Sequence, residues 1–167
     1  MLKENDLTHI RQTRFRNGDG VTLDFLQDEL IQATGTYKIP VSFAKDQVQS
    51  GGRFERKVIK DCLMMFHPEH GSNYNYYVFT ITRQGTYAFV DVYLAGNSKY
   101  GATQNAKNSI LSGSFSSLSI YDKGYVIGTL IGNAMGGTLF KNSKSEHEIE
   151  KNWYMMIEDV LKDIFGE

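Results

Sequence analysis

The sequence predicts an α+β fold, in which an antiparallel sheet of about five or six strands, curved or barrel-like, packs against a C-terminal helix. Residues 74–96 form two runs of β-branched and aromatic residues around a turn, which is typical of a β-hairpin. Residues 145–166 instead repeat apolar side chains at helical spacing, and such a stripe must be buried against another element. At 167 residues, the chain suits a single α+β domain spanning 1–167 that needs no disulfide bonds.

The composition is that of an ordinary globular protein, with 41% apolar residues and a net charge of −1. The near-neutral charge argues against a general nucleic-acid binder, which usually has a basic excess. A single cysteine, Cys62, excludes an internal disulfide framework and favours a reducing compartment, so we expect a cytoplasmic protein. Residues 1–16 contain no apolar core of the kind that a secretory signal requires.

Residues 1–20 are polar and basic, and we expect a flexible N-terminal segment. Arg11, Arg14 and Arg16 precede a glycine-rich turn at residues 17–20. We interpret these arginines as a solvated face, with binding of a phosphate or an anionic surface as the alternative.

Residues 22–33 have the apolar spacing of a helix, and Gly35 is a stop signal. The segment 37–43 alternates like a strand, although Pro40 would restrict it to a sheet edge or to a loop. A flexible break at residues 50–52 is expected to follow.

Four cations would share one helical face if the next segment were a helix: Arg53, Arg56, Lys57 and Lys60. Residues 58–66 end in an apolar run that predicts a buried strand. Cys62 lies inside this run, where a thiol is expected to act as a small apolar side chain.

In the central hairpin, a loop at Gln84-Gly85 would pair Phe79 with Val90 and give one apolar face. The opposite face would carry aromatic side chains among polar ones. It is too apolar for a solvated surface and too polar for a deep core. Tyrosine favours such surfaces because its ring buries area while its hydroxyl stays hydrated. The predicted binding residues are those of this second face: Tyr76, Tyr87, Phe89, Asp91 and Tyr93.

Residues 97–109 read as a surface loop, and residues 114–120 and 125–131 as a second hairpin. Glycines recur every fourth residue across 124–136, which leaves a packed helix or a membrane contact as alternatives to the strand. Ser145 and Glu148 predict a capping box for the final helix, which Gly166 ends. Its expected apolar stripe is Ile149, Trp153, Met156, Ile157, Val160 and Ile164, with Glu158 and Lys162 paired on the solvated side.

The function predicted from these features is that of a non-catalytic interaction or ligand-binding module, self-associating through a sheet face or edge. The predicted partners are a second copy, another protein or a small-molecule ligand, and neither nucleic acid nor a membrane. The cover of the second face could also come from residues 1–50 of the same chain. No phosphate-binding loop, nucleophile elbow or dinucleotide fingerprint is present in the sequence, and no cofactor is predicted.

Two alternatives come from other function classes. His67, Glu69 and His70 carry metal-ligand chemistry and could serve a metal-dependent enzyme, although Pro68 opposes the helix that paired histidine ligands often use. A module that binds anionic membrane surfaces could use the cations of residues 11–16 or 53–60.

Overall fold

The computed structural model describes residues 1–96 and 141–166. The chain divides into two compact units, the first formed by Met1–Gly96 with Met156–Glu167 and the second by Asn97–Met155. The loop predicted at 97–109, the hairpin predicted at 114–131 and the glycine repeat at 124–136 lie outside the described residues. Across the two described ranges, no helix is both long and apolar enough to cross a membrane.

The first unit is built on one six-stranded mixed sheet with the spatial order β1-β3-β4-β5-β6-β2. β1 pairs with β3 in parallel, and the other neighbours are antiparallel. The sheet does not close into a barrel, because β1 and β2 form its two edges. The α+β class is confirmed. The strands are β1 (Leu2–Lys3), β2 (Thr8–Phe15), β3 (Ser42–Ser50), β4 (Val58–Phe66), β5 (Tyr76–Gln84) and β6 (Tyr87–Ala95).

The central hairpin forms as predicted, but its loop lies one residue later. Gln84 pairs with Tyr87, so Gly85 and Thr86 form the loop, and Gly85 has a φ of 57°, which glycine adopts without strain. Phe79 therefore faces Val92 instead of Val90. The pairing differs from the prediction by two positions, so every side chain keeps its predicted face.

Residues 1–20, which we expected to be flexible, contribute both edges of the sheet. β1 extends the sheet beside β3, and β2 pairs with β6 from Thr8↔Leu94 to Phe15↔Ala88. The polar sequence of β2 gives no strand signal, because an edge strand is held by backbone hydrogen bonds and tolerates charged side chains.

The strand predicted at 37–43 instead begins at Ser42, beyond Pro40, and continues to Ser50. A proline cannot donate to a strand ladder, which explains why pairing starts after it. The cations of residues 53–57 lie in the connection between β3 and β4, and Lys60 lies in β4, so they do not share a helical face. β4 itself has the predicted bounds, and Cys62 is buried within it.

The first helix, α1 (Leu23–Thr36), is capped by Thr22, whose hydroxyl accepts a hydrogen bond from the Phe25 amide at 3.1 Å. Leu26 and Leu30 are buried as the spacing predicts, whereas Ile31 is exposed. The helix passes through Gly35 and ends one residue later than the stop signal indicates.

The final helix, α2 (Lys141–Phe165), begins before Ser145, so Ser145 and Glu148 lie inside it and do not form a capping box. The reason is that no proline or glycine interrupts residues 141–165, and the helix continues past the local cap signal. Gly166 ends it with a φ of 75° and an amide bonded to the Lys162 carbonyl at 2.8 Å.

The buried stripe of α2 differs from the predicted one at its margins. Ile149 and Met156 are exposed, and Leu161 and Phe165 take part instead; the buried apolar residues are Trp153, Ile157, Val160, Leu161 and Phe165. Within the first unit, the Phe165 ring lies 6.3 Å from that of Phe79, so the end of α2 packs on the apolar hairpin face as expected. Glu158, predicted to pair with Lys162, accepts a hydrogen bond from the Tyr77 hydroxyl at 3.2 Å.

The sheet thus has two different faces. The helix face carries the apolar side chains of the central hairpin and is covered by α1 and by the end of α2. The open face carries the opposite set, which alternates along the same strands and includes every predicted binding residue. The open face on the central strands consists of Tyr76, Val78, Thr80, Thr82, Tyr87, Phe89, Asp91 and Tyr93.

Candidate binding surface on the open face

The N-terminal segment covers one end of the open face. Leu2 and Leu7 pack on an apolar cluster of buried residues, and Tyr76 packs on the same cluster. Three of the five predicted binding residues, Tyr76, Asp91 and Tyr93, lie at this covered end. Asp91 and Tyr93 are each only 7% exposed, so they are internal in the first unit. The cluster consists of Val48, Cys62, Val78, Tyr93 and Ala95.

Asp91 and Tyr93 are held in a polar network with the N-terminal segment. The Asp91 Oδ1 atom lies 3.0 Å from His9 Nε2 and accepts a hydrogen bond from Gln12 Nε2 at 2.8 Å. The Tyr93 hydroxyl donates to Glu4 Oε1 at 3.2 Å. Burial, with the nearby carboxylates of Asp91 and Glu4, raises the pKa of Tyr93 to about 12. At neutral pH, Tyr93 is therefore a protonated donor that ties the N-terminal segment to the sheet.

The other end of the open face is not covered by any described residue. Here Tyr87 and Phe89 lie on β6 with their rings stacked, 6.3 Å apart at an interplanar angle of 28°. Together with Arg14 and Arg16 they line a shallow depression of about 400 Å³. The arrangement follows from the register, since Arg14 of β2 pairs with Phe89 and places its side chain on the same face.

A further cation, Lys60, lies on the open face two strands from Phe89 and outside the lining of this depression. Lys60 Nζ donates to Thr82 Oγ1 at 3.0 Å, and Thr82 is the cross-strand neighbour of Phe89. None of the described open-face strand positions at this end is acidic. They are Arg14, Val48, Ser50, Val58, Lys60, Thr82, Gln84, Tyr87 and Phe89, and Arg16 follows in the turn after β2. We call the set Arg14, Arg16, Lys60, Tyr87 and Phe89 the cationic–aromatic patch.

The arginines of residues 11–16 do not act together, because alternate positions of a strand point to opposite faces. Arg11 lies on the helix face, where its Nη1 atom donates to the Gly166 carbonyl at 3.2 Å. A cation at that position satisfies a terminal carbonyl of α2 and complements the negative end of its dipole. Only Arg14 and Arg16 reach the patch.

The cations of residues 53–60 divide in a similar way. Lys60 belongs to the patch, whereas Arg53 and Lys57 line a smaller depression of about 220 Å³ with Lys3. This second depression contains no aromatic side chain, and its remaining residues are Asn5, Gln49, Gly51 and Gly52. It therefore offers charge without the apolar surface that the patch supplies.

Two of the predicted metal-ligand residues, His67 and His70, form an aromatic cluster with Tyr74 just before β5. His67 is buried, and its Nδ1 accepts a hydrogen bond from the Glu69 amide at 3.1 Å. The His70 ring lies 4.6 Å from that of His67 and stacks on Tyr74 at 4.3 Å. Burial, with a smaller effect of His70, lowers the pKa of His67. Over residues 1–96 and the described part of α2, no three His, Cys, Asp or Glu residues are placed to hold a metal ion.

Comparison of the chain with protein-family models, with curated proteins and with solved structures finds no match. We therefore infer the function from the geometry of the site. Tyr87 and Phe89 were predicted from the sequence, but Arg14, Arg16 and Lys60 were not assigned to the same site. Arg14 could have been assigned to the site only from the β2–β6 register, which places Arg14 opposite Phe89.

Proposed function

We propose that this chain is a non-catalytic binding module and that the cationic–aromatic patch is its binding site. The observation that carries the proposal is a stacked aromatic pair that lines a depression with two arginines, on the part of the open face that no described residue covers. The ligand class that fits is anionic with an apolar or planar portion.

The rest of the sheet supports this location. The helix face and the N-terminal end of the open face are both covered, and Tyr77, Phe79 and Tyr93 are buried there. At the patch, Tyr87 keeps 37% of its surface exposed. Arg14 and Arg16 line the depression with no acidic residue among its lining, so their charges repel each other and would be stabilised by a bound anion.

The residue types are those that dominate binding energy elsewhere. Tyrosine and arginine are enriched among residues whose truncation costs about 2 kcal/mol or more of binding free energy. Arg14 and Arg16 can give paired hydrogen bonds to carboxylate, phosphate or sulfonate groups, while the two rings accept apolar surface. The patch contains no His, Asp or Glu residue, and binding without chemistry is the function that we propose.

Self-association through this patch is the weaker candidate. Two copies that met patch to patch would bring six cations together, and like charges across an interface oppose association. A dimer seen by light scattering that dissociates on Phe89→Ser substitution would favour it over an anionic ligand.

The test uses anilinonaphthalene sulfonate, an anionic aromatic dye, as a probe in fluorescence titrations of the folded chain. We expect the variant Arg14→Gln/Phe89→Ser to lose most of the binding while its unfolding midpoint stays within the range of ordinary surface changes. The matched control is Arg53→Gln/Phe54→Ser, because Phe54 is 97% exposed and also stands beside an arginine. Equal losses in both variants, or none in the first, would overturn the proposal.

A further inference from the structure

β2 is an outer edge of the sheet. It pairs with β6 on one side, and within the described ranges no strand lies on its other side. An edge strand leaves alternate backbone N–H and C=O groups available to another chain. A bulge interrupts the pairing between His9 and Arg11, but pairing is regular from Arg11 to Phe15 and contains no proline. The regular part of the edge is the part that carries Arg14.

The charge of this edge restricts what can add to it. Residues 8–16 contain three arginines and one histidine, and no acidic residue. Pairing of two copies of β2 would place arginines of both chains on neighbouring strands, and like charges there are destabilising. An acidic strand would instead meet complementary charge at Arg14 and Arg16.

The added strand would also meet the patch. It would lie about 4.8 Å beyond β2, so that its alternate side chains stand beside Arg14 and Arg16 on the open face. The remaining side chains would lie on the helix face beside Thr13 and Phe15, both half-buried. This geometry favours a segment in which acidic and apolar residues alternate.

We infer that the partner of this module is an acidic extended peptide segment that pairs with β2 as a seventh strand and places its carboxylates on Arg14 and Arg16. The inference rests on the proposed function and specifies its ligand. Backbone hydrogen bonds to the edge supply sequence-independent affinity, and the two arginines select acidic side chains. Because these pairs are exposed, binding weakens as the salt concentration rises.

The experiment measures binding of a synthetic peptide in which Asp and Val alternate, by isothermal titration and by amide hydrogen exchange. We expect binding to slow exchange at β2 amides in residues 8–15 and to displace the dye from the patch. Arg14→Gln/Arg16→Gln should weaken binding about tenfold, from the loss of two exposed charge pairs. Arg53→Gln/Arg56→Gln, which removes the same charge elsewhere, should leave the affinity within about twofold of the parent chain.

A second peptide with the same side chains but methylated at every backbone nitrogen separates strand pairing from simple charge attraction. We expect it not to bind, and equal binding of both peptides would overturn strand addition. If the dye binds the patch but the Asp-Val peptide does not, this inference fails and the proposed function stands. Stronger binding of phosphatidylserine vesicles or of an oligothymidylate than of the peptide would also overturn it.

Discussion

Gly18 shows how one residue determines the junction between β2 and α1. Its amide donates to the Thr86 carbonyl at 2.8 Å, which joins the end of β2 to the turn of the central hairpin. A Cβ atom at Gly18 would lie 2.4 Å from Ala88 Cβ and 2.5 Å from the Ala88 backbone nitrogen. No real contact is that short, and backbone cannot move away cheaply, so only glycine fits here.

We expect Gly18→Ala to lower the free energy of unfolding by about 1–3 kcal/mol, as overpacking in a tight contact does. The measurement is urea denaturation followed by circular dichroism. Gly20→Ala is the matched control, since a Cβ atom there has no neighbour within 4 Å. Equal stability of the two variants would show that the chain between β2 and α1 is not held against Ala88.

The chemical role of Cys62 also follows from its immediate surroundings. Burial, together with the nearby Asp46 carboxylate, raises the pKa of its thiol to about 11. The reactive thiolate is therefore scarce at neutral pH, and the residue acts as the small apolar side chain that its apolar run predicts. Its side chain packs in the cluster beneath Leu2 and Leu7.

For α2, the sequence predicted most of the buried side but not the residue at which the helix begins. Trp153 is 2% exposed and is among the largest fully buried side chains of the described residues. We expect Trp153→Ala to lower the free energy of unfolding by about 3–5 kcal/mol, because it removes a large buried ring and leaves a cavity. Thermal and urea denaturation measure the change.

Met155→Ala is the control, and it tests whether the loss of stability in Trp153→Ala comes from burial or from any change of residue in this helix. Met155 is 56% exposed on the same helix, so we expect its replacement to change stability by less than about 0.5 kcal/mol. A melting temperature of Trp153→Ala that matches that of Met155→Ala would contradict the assignment of the buried stripe.

Several buried groups that stay protonated in the folded state predict that the protein loses stability at high pH. The pKa of Cys62 is raised to about 11 and that of Tyr93 to about 12, and burial with the Glu158 carboxylate raises the pKa of Tyr77 well above its usual value. In the unfolded chain these groups lose their protons near their ordinary pKa values, 9.0 for cysteine and 10.0 for tyrosine. Above pH 9 the folded state therefore holds more protons than the unfolded state, and stability falls as pH rises.

We expect the free energy of unfolding to be highest below about pH 9 and to decline between about pH 9 and pH 12. Tyr93→Phe should make the decline between pH 10 and pH 12 less steep, because it removes one of the protons that only the folded state retains. Urea titrations across this range measure the slope, with the exposed Tyr37→Phe as control. A slope unchanged by Tyr93→Phe would mean that the Tyr93 hydroxyl is not buried.

Local sequence patterns were sufficient to predict the elements whose side-chain periodicity is visible within a few residues. The alternation of β5 and β6 determined both faces of the hairpin, and the 3.6-residue repeat predicted Trp153, Ile157 and Val160 as the buried side of α2. The aromatic pair of the candidate site was found in the same way. Element ends were less accurate, because caps and loops contribute little energy and neighbouring residues can replace one another in them.

The strands at the two edges of the sheet, and the cations beside the aromatic pair, could be identified only from the folded arrangement of the strands. Thr8 pairs with Leu94, and Leu2 pairs with Val48, through backbone groups that every residue carries. No pattern of side chains therefore predicts these pairings. Arg14, Lys60 and Phe89 come from three strands far apart in the chain. They share a surface because the strand order and register bring them together, and both depend on the packing of the whole sheet.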